Sequence, residues 1–164
     1  MIIMWTVSQF NFYLIMFLAN TFEQVYLTAL FVGLAGLLAY ICSGFLVKCF
    51  GTKATLCLSF VTSAIGGFLI LVYGLQHEDS ALFPVLFFIS KFGASCAVGV
   101  CYTGNAEVFP AEITASTLGI CQVFARFFSA LQFLTMQMKQ PAPMLIYTIG
   151  SVIAVIASLF IRNT

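Results

Sequence analysis

Apolar residues fill this chain in long runs, and short polar clusters break the runs at near-regular intervals. A helix needs about 20 apolar residues to cross the hydrocarbon core of a bilayer. Six stretches reach about that length: 2–20, 25–47, 54–75, 82–106, 113–136 and 144–161. The breaks carry turn and charge chemistry. KCFGTK (Lys48 to Lys53) separates the second run from the third, QHEDS (76–80) the third from the fourth, and KQPAP the fifth from the sixth. No segment reads as a soluble domain. The pattern predicts an all-α fold, a single six-helix transmembrane bundle over 1–164.

Composition sharpens this picture. Hydrophobic residues make up 62% of the 164 and charged residues 7%, against about 25% charge in a soluble domain. So few charges cannot coat a globule, and the implied surroundings are the lipid bilayer. A net charge of +1, with no cluster of Lys and Arg, excludes a nucleic-acid partner. The six cysteines (42, 49, 57, 96, 101 and 121) form no C-x-x-C pair, and one histidine cannot complete a zinc site. They read as buried thiols that behave as small hydrophobes. Neither a metal nor a cofactor is expected. No Ser/His or aspartate pair lies within the spans, which argues against an intramembrane enzyme. The N-terminus lacks a basic segment before its apolar run, so it reads as a span rather than a secretory signal.

Charge placement orients the bundle. Six spans put both termini on one side, and Lys and Arg mark the cytoplasmic side. A cytoplasmic N-terminus places Lys48, Lys53 and Arg162 inside, leaving Lys139 with Glu78 and Asp79 outside. The loop between the fourth and fifth runs, GNAEVFPAEITASTLG (104–119), is then cytoplasmic and carries Glu107 and Glu112. Two inner loops of opposite sign suggest an ionic latch, Lys48 and Lys53 against Glu107 and Glu112. Four solvated loop charges are the alternative, because exposed pairs contribute only about 0–1 kcal/mol. Within the spans, Arg126 stands among aromatic and aliphatic neighbours, and a charge there costs at least about 2.5–3.5 kcal/mol on insertion scales. It faces a cavity or partner, or it snorkels toward a helix end. Lys91, in the fourth run, has the same two options. Gln9, Asn11 and Tyr13 in the first run and Gln122 and Gln132 in the fifth either line an aqueous path or bond neighbouring helices. Gln9 and Tyr13 share a helical face, and Asn11 points elsewhere.

Two motifs resemble the major facilitator superfamily of transporters. NAEVFPAEITASTLG is similar to the segment after the family's tenth helix, with Glu107, Pro110 and Gly119 in register. GFLVKCFGTK is similar to the loop after its eighth helix, through Gly44, Leu46, Gly51 and Lys53. SKFGASCAVGVCYTGNAEVFPAE and GICQVFARFFS extend the likeness into the tenth and eleventh helices of the sugar and organic-ion branches. Departures lie at Lys48, where the family has an acid, at Thr52 and Thr114, where it has arginines, and in the absence of a proline after Arg126. The resemblance implies helices seven to twelve, the carboxy-terminal half of an alternating-access carrier for a small organic ion in the plasma membrane. Arg126 falls where that branch selects substrate charge, which favours anions, since a guanidinium binds carboxylates bidentately. The implied substrate contacts are Arg126, Lys91, Gln9, Tyr13 and Gln122, and the implied cytoplasmic gate is Lys48, Lys53, Glu107 and Glu112. The implied partner is a missing amino-terminal six-helix half or another transporter chain. The alternative is a non-transporting interaction protein, or truncated remnant, that pairs with a full carrier.

Overall fold

The computed structural model describes residues 2–19, 25–74, 83–138 and 142–159. Among these every element is helical: α1 (Ile2–Ala19), α2 (Val25–Leu69), α3 (Phe83–Val108), α4 (Ala111–Met136) and α5 (Ala142–Leu159). A single wider, π-type stretch, Ile70–Gly74, extends α2. The all-helical class follows from the apolar runs, because in lipid a helix satisfies its own backbone hydrogen bonds.

Four helices, not six, are long and apolar enough to cross a membrane. Two physical reasons account for the correction. α1 has 18 residues, a length of about 27 Å at 1.5 Å per residue, slightly short of the roughly 30 Å core. The second and third runs, expected to be separate, are two helical arms that meet directly at Gly51, the one residue of Val25–Leu69 with non-helical backbone, at φ 80° and ψ 165°, so they form one uninterrupted apolar stretch. KCFGTK is therefore a one-residue reversal, not a multi-residue loop. Glycine alone adopts that conformation without steric cost, having no Cβ. The remaining expected boundaries shift by one or two residues, with α3 ending at Val108 and α4 starting at Ala111. Lys139, Arg162, Glu78 and Asp79, on which the inside–outside assignment partly rests, lie outside the described residues.

Contacts on either side of Gly51 run in opposite order along α3. Before it, Phe31 meets Phe88 ring to ring, Cys96 donates to the Ala39 carbonyl, and Ser43 faces Gly99. After it, Ser59 and Ser63 lie against Gly93, and Gly66 lies against Ser90. The two arms of α2 thus flank α3, one parallel and one antiparallel to it. This places α3 at the centre, and it is buried almost all round from Ser90 to Cys101, as expected of a helix without a polar face.

Small residues set the spacing. A Cβ on Gly93 would lie 2.5 Å from the Ser63 nitrogen, and one on Gly66 2.6 Å from the Ser90 Cα. Such contacts let helix backbones approach where lipid offers no hydrophobic drive to associate. Apolar side chains form two clusters. One gathers Met4, Trp5, Leu56, Phe60, Val100 and Ala125 among others, and the second Leu14, Ile15, Ile70, Phe87, Met144 and Tyr147 among others. A buried hydrogen-bonded network also joins four helices. Asn11 donates to Ser151 at 2.8 Å, Ser151 and Ser63 lie 3.3 Å apart, and Ser63 and Ser90 each bond the Tyr147 hydroxyl, at 2.6 and 2.7 Å.

Candidate functional site

The polar residues inside the bundle meet along α1. Lys91 on α3 is 3% exposed. Its ammonium donates to the Phe12 carbonyl at 3.1 Å and sits 3.1 Å from the centroid of the Phe12 ring. Its stem does not carry it to a helix end, and its charge is screened by a carbonyl dipole and an aromatic face. One residue further along α1, Tyr13 turns toward α4. Its hydroxyl accepts from Arg126 Nη1 at 2.6 Å, and the guanidinium carbon lies 5.3 Å from its ring centroid. The Phe12 and Tyr13 rings touch edge to face, with centroids 5.3 Å apart. Steps of 3.1, 5.3 and 5.3 Å therefore connect the two intramembrane cations through neighbouring residues of one helix. Each basic group has an aromatic ring and an uncharged oxygen as partners, and no ion pair neutralises either among the described residues.

The two cations differ in access. Lys91 is enclosed, whereas Arg126 is exposed on α4, a helix that packs mainly on α1. Gln122, one turn before Arg126, donates to the Tyr102 hydroxyl at 2.7 Å, and Tyr102 stacks edge-on against buried Trp5 at 4.5 Å. Arg126, Tyr13, Gln122 and Tyr102 thus form hydrogen-bonded α1–α4 and α3–α4 pairs. Gln9 is buried, 4% exposed, one turn from half-buried Tyr13. Asn11, as expected, points away, into the network with Ser151.

At the end of the bundle near Gly51, the four residues expected to form a gate do not form ion pairs among the described residues. Lys48, Glu107 and Glu112 are exposed and Lys53 is half-buried. The Glu107 carboxylate instead accepts a hydrogen bond from the hydroxyl of Thr52, the residue before Lys53. Thr55 donates to the Gly51 carbonyl at 2.8 Å, tying down the kink from the other side. Glu112 stands in the first turn of α4, where the helix dipole favours a carboxylate. The turn between α3 and α4 is two residues, Phe109 and Pro110. Buried Asn105 donates to the Thr114 carbonyl at 3.1 Å, and Thr114 bonds back to the Phe109 and Pro110 carbonyls at 3.0 and 2.8 Å. Thr52 and Thr114, which depart from the transporter motifs, are thus the residues that hold these two corners.

Reading the sequence alone passed over Phe12, Tyr102 and Tyr147. Aromatics are too abundant here (19 Phe and 6 Tyr) for any one to stand out. A usable signal was the adjacency of Phe12 and Tyr13 between polar Asn11 and an aliphatic run. No family model matches the chain, and no curated protein matches it either.

Proposed function

We propose that this chain is one half of an alternating-access carrier for a small organic ion, with anions favoured. The observation that carries the reading is Arg126: an exposed guanidinium on a membrane-length helix, anchored to Tyr13, with Lys91 enclosed behind the adjacent Phe12. An unneutralised guanidinium at that depth is costly, and a carboxylate engaging it bidentately would offset the cost. In this reading the two arms of α2 cross the membrane separately, reversing at Gly51. α1 completes a six-pass bundle of the major facilitator type. The face bearing Arg126, Tyr13 and Gln122 looks toward a second six-helix half, and substrate binds between the halves. Lys48, Lys53, Glu107 and Glu112 sit at the end where such halves would meet and part.

The test is uptake of radiolabelled monocarboxylates into liposomes holding the purified chain together with a partner half. Anion uptake is expected from the wild type and its loss from Arg126→Asp at matched reconstitution. Equal uptake by the two would sink the reading.

A second reading has its own support. α4 leaves much of its circumference uncovered, with Val123, Phe127 and Phe133 each exposed by about two thirds, as suits a chain that docks on another membrane protein. In that case the chain alters the rate of a co-reconstituted carrier, and Arg126→Asp leaves uptake by that carrier unchanged.

A further inference from the structure

We propose that the seam between α1 and α4 is a hydrated joint that opens, with α4 moving as a separate element about the turn at Phe109 and Pro110. The inference goes beyond the transport reading and stands without it.

α4 buries one narrow stripe, Cys121, Ala125, Ser129 and Gln132, and α1 is the helix it packs on most extensively. That stripe should be the driest part of α4. Yet Ser129 Oγ, Gln132 Oε1 and Gln122 Oε1 are all buried without a hydrogen-bond partner, and across the seam so is Trp5 Nε1. Ser129 and Gln132 are only 8% and 5% exposed. A buried polar atom left unpaired costs about 1–3 kcal/mol, so three on one helix would rival the whole stability of a small domain. A tightly closed, anhydrous seam is thus the less stable arrangement. Water, which makes two to four hydrogen bonds in a buried site, removes that penalty.

The rest of the bundle provides the contrast. Where the second arm of α2 meets α3 and α5, Ser63 bonds Tyr147 and Ser151, and Ser90 bonds Tyr147. Glycines bring the backbones there into contact. Asn11 Oδ1, Thr28 Oγ1, Ser95 Oγ and Asn105 Oδ1 are unpaired elsewhere, but among the described helices only α4 gathers three such atoms. The three orphaned oxygens span residues 122 to 132, about 15 Å along the helix, half the hydrocarbon thickness. Arg126 lies within that interval, so a wet seam also hydrates its guanidinium. The hinge is short and well defined. Pro110 has φ −56° and ψ 148°, and the Asn105 and Thr114 bonds fix the turn about which α4 would move.

The experiment is thiol labelling in lipid nanodiscs, on the full chain with its six cysteines replaced by alanine and with helicity confirmed by circular dichroism. Ser129→Cys and Gln132→Cys should react with a membrane-impermeant methanethiosulfonate within about tenfold of the rate at exposed Ala111→Cys, since thiol reactivity requires access and thiolate. Ser63→Cys, in the hydrogen-bonded interface, should react at least about a hundredfold more slowly. Amide exchange on the unmodified chain gives a second reading: residues 121–132 should exchange faster than residues 90–100 of α3. Protection at positions 129 and 132 equal to that at 63, or exchange in α4 as slow as in α3, would overturn the proposal.

Discussion

Gly93→Ala adds one methyl group at the tightest helix crossing among the described glycines. Its Cβ would fall 2.5 Å from the Ser63 nitrogen, 2.8 Å from the Ser59 carbonyl oxygen and 2.9 Å from the Ser63 Cα. Carbon contacts are optimal at about 3.5–4.0 Å, so α3 and the second arm of α2 must part by about 1 Å. All three obstructing atoms belong to helix backbone, and no side chain can rotate away to relieve them. A gap of 0.5–1 Å forfeits a quarter to a half of the dispersion well for the neighbours it separates. Overpacking of this kind costs about 1–3 kcal/mol. Alanine's better helix propensity returns at most about 1 kcal/mol, and less where helices persist in the unfolded state. A net loss of about 1–2 kcal/mol is expected, measured as a shift in the unfolding midpoint in mixed detergent–SDS micelles. Gly33→Ala is the control, since nothing lies within 4 Å of its Cβ. It should be neutral or slightly stabilising. Gly93→Ala unfolding at or above the wild-type midpoint would refute the argument that backbone contact at this crossing holds the two helices together.

Tyr147→Phe removes the hydroxyl shared by Ser63 and Ser90. At about 0.6 kcal/mol for a typical interhelical bond in a membrane protein and 1.7 at most, it should cost about 1–2 kcal/mol in the same unfolding assay. Gly51→Ala forces an L-residue to φ 80°, a strain of about 1–3 kcal/mol, whereas Gly44→Ala, with open space around its Cβ, should be silent. In the reconstituted pair, Arg126→Lys keeps the charge but loses the planar fork. Its carboxylate KM should rise while measurable uptake remains, and an unchanged KM would remove the guanidinium from the site.

The helical class was legible because six apolar runs leave the backbone no other way to satisfy its hydrogen bonds in lipid. Their joining was not. KCFGTK has the charges and glycine of a loop, yet one residue in a left-handed conformation reverses the chain, and the flanking residues remain helical. A Cβ on Gly66, Gly67 or Gly99 would press on a neighbouring helix, whereas one on Gly33 would meet open space. Spacing along one strand of sequence does not show which face meets a neighbour. Gly93, the tightest of all, sits in a polar-looking stretch, SKFGAS, that drew attention to Lys91 instead. The cations of the site were legible by their cost in a membrane. Their aromatic companions were not, because an aromatic ring in a hydrophobic span carries no cost that marks it.

The two carboxylates of GNAEVFPAEITASTLG do different work, and neither forms an ion pair among the described residues. Glu112 lies at a helix N-terminus, where a negative charge is favourable by about 0.3–1 kcal/mol whether or not a cation is near. Glu107 closes the reversal at Gly51 onto the end of α3 through the Thr52 hydroxyl. A neutral hydroxyl is a weaker partner than a guanidinium, and here it belongs to the residue that follows Gly51, where α2 reverses. Such a bond joins the turn of α2 to the end of α3 without the large desolvation penalty of a buried ion pair. It also releases at a lower cost than a bidentate arginine would. Thr52 therefore holds this end of the bundle by a weaker bond than an arginine at the same position would make.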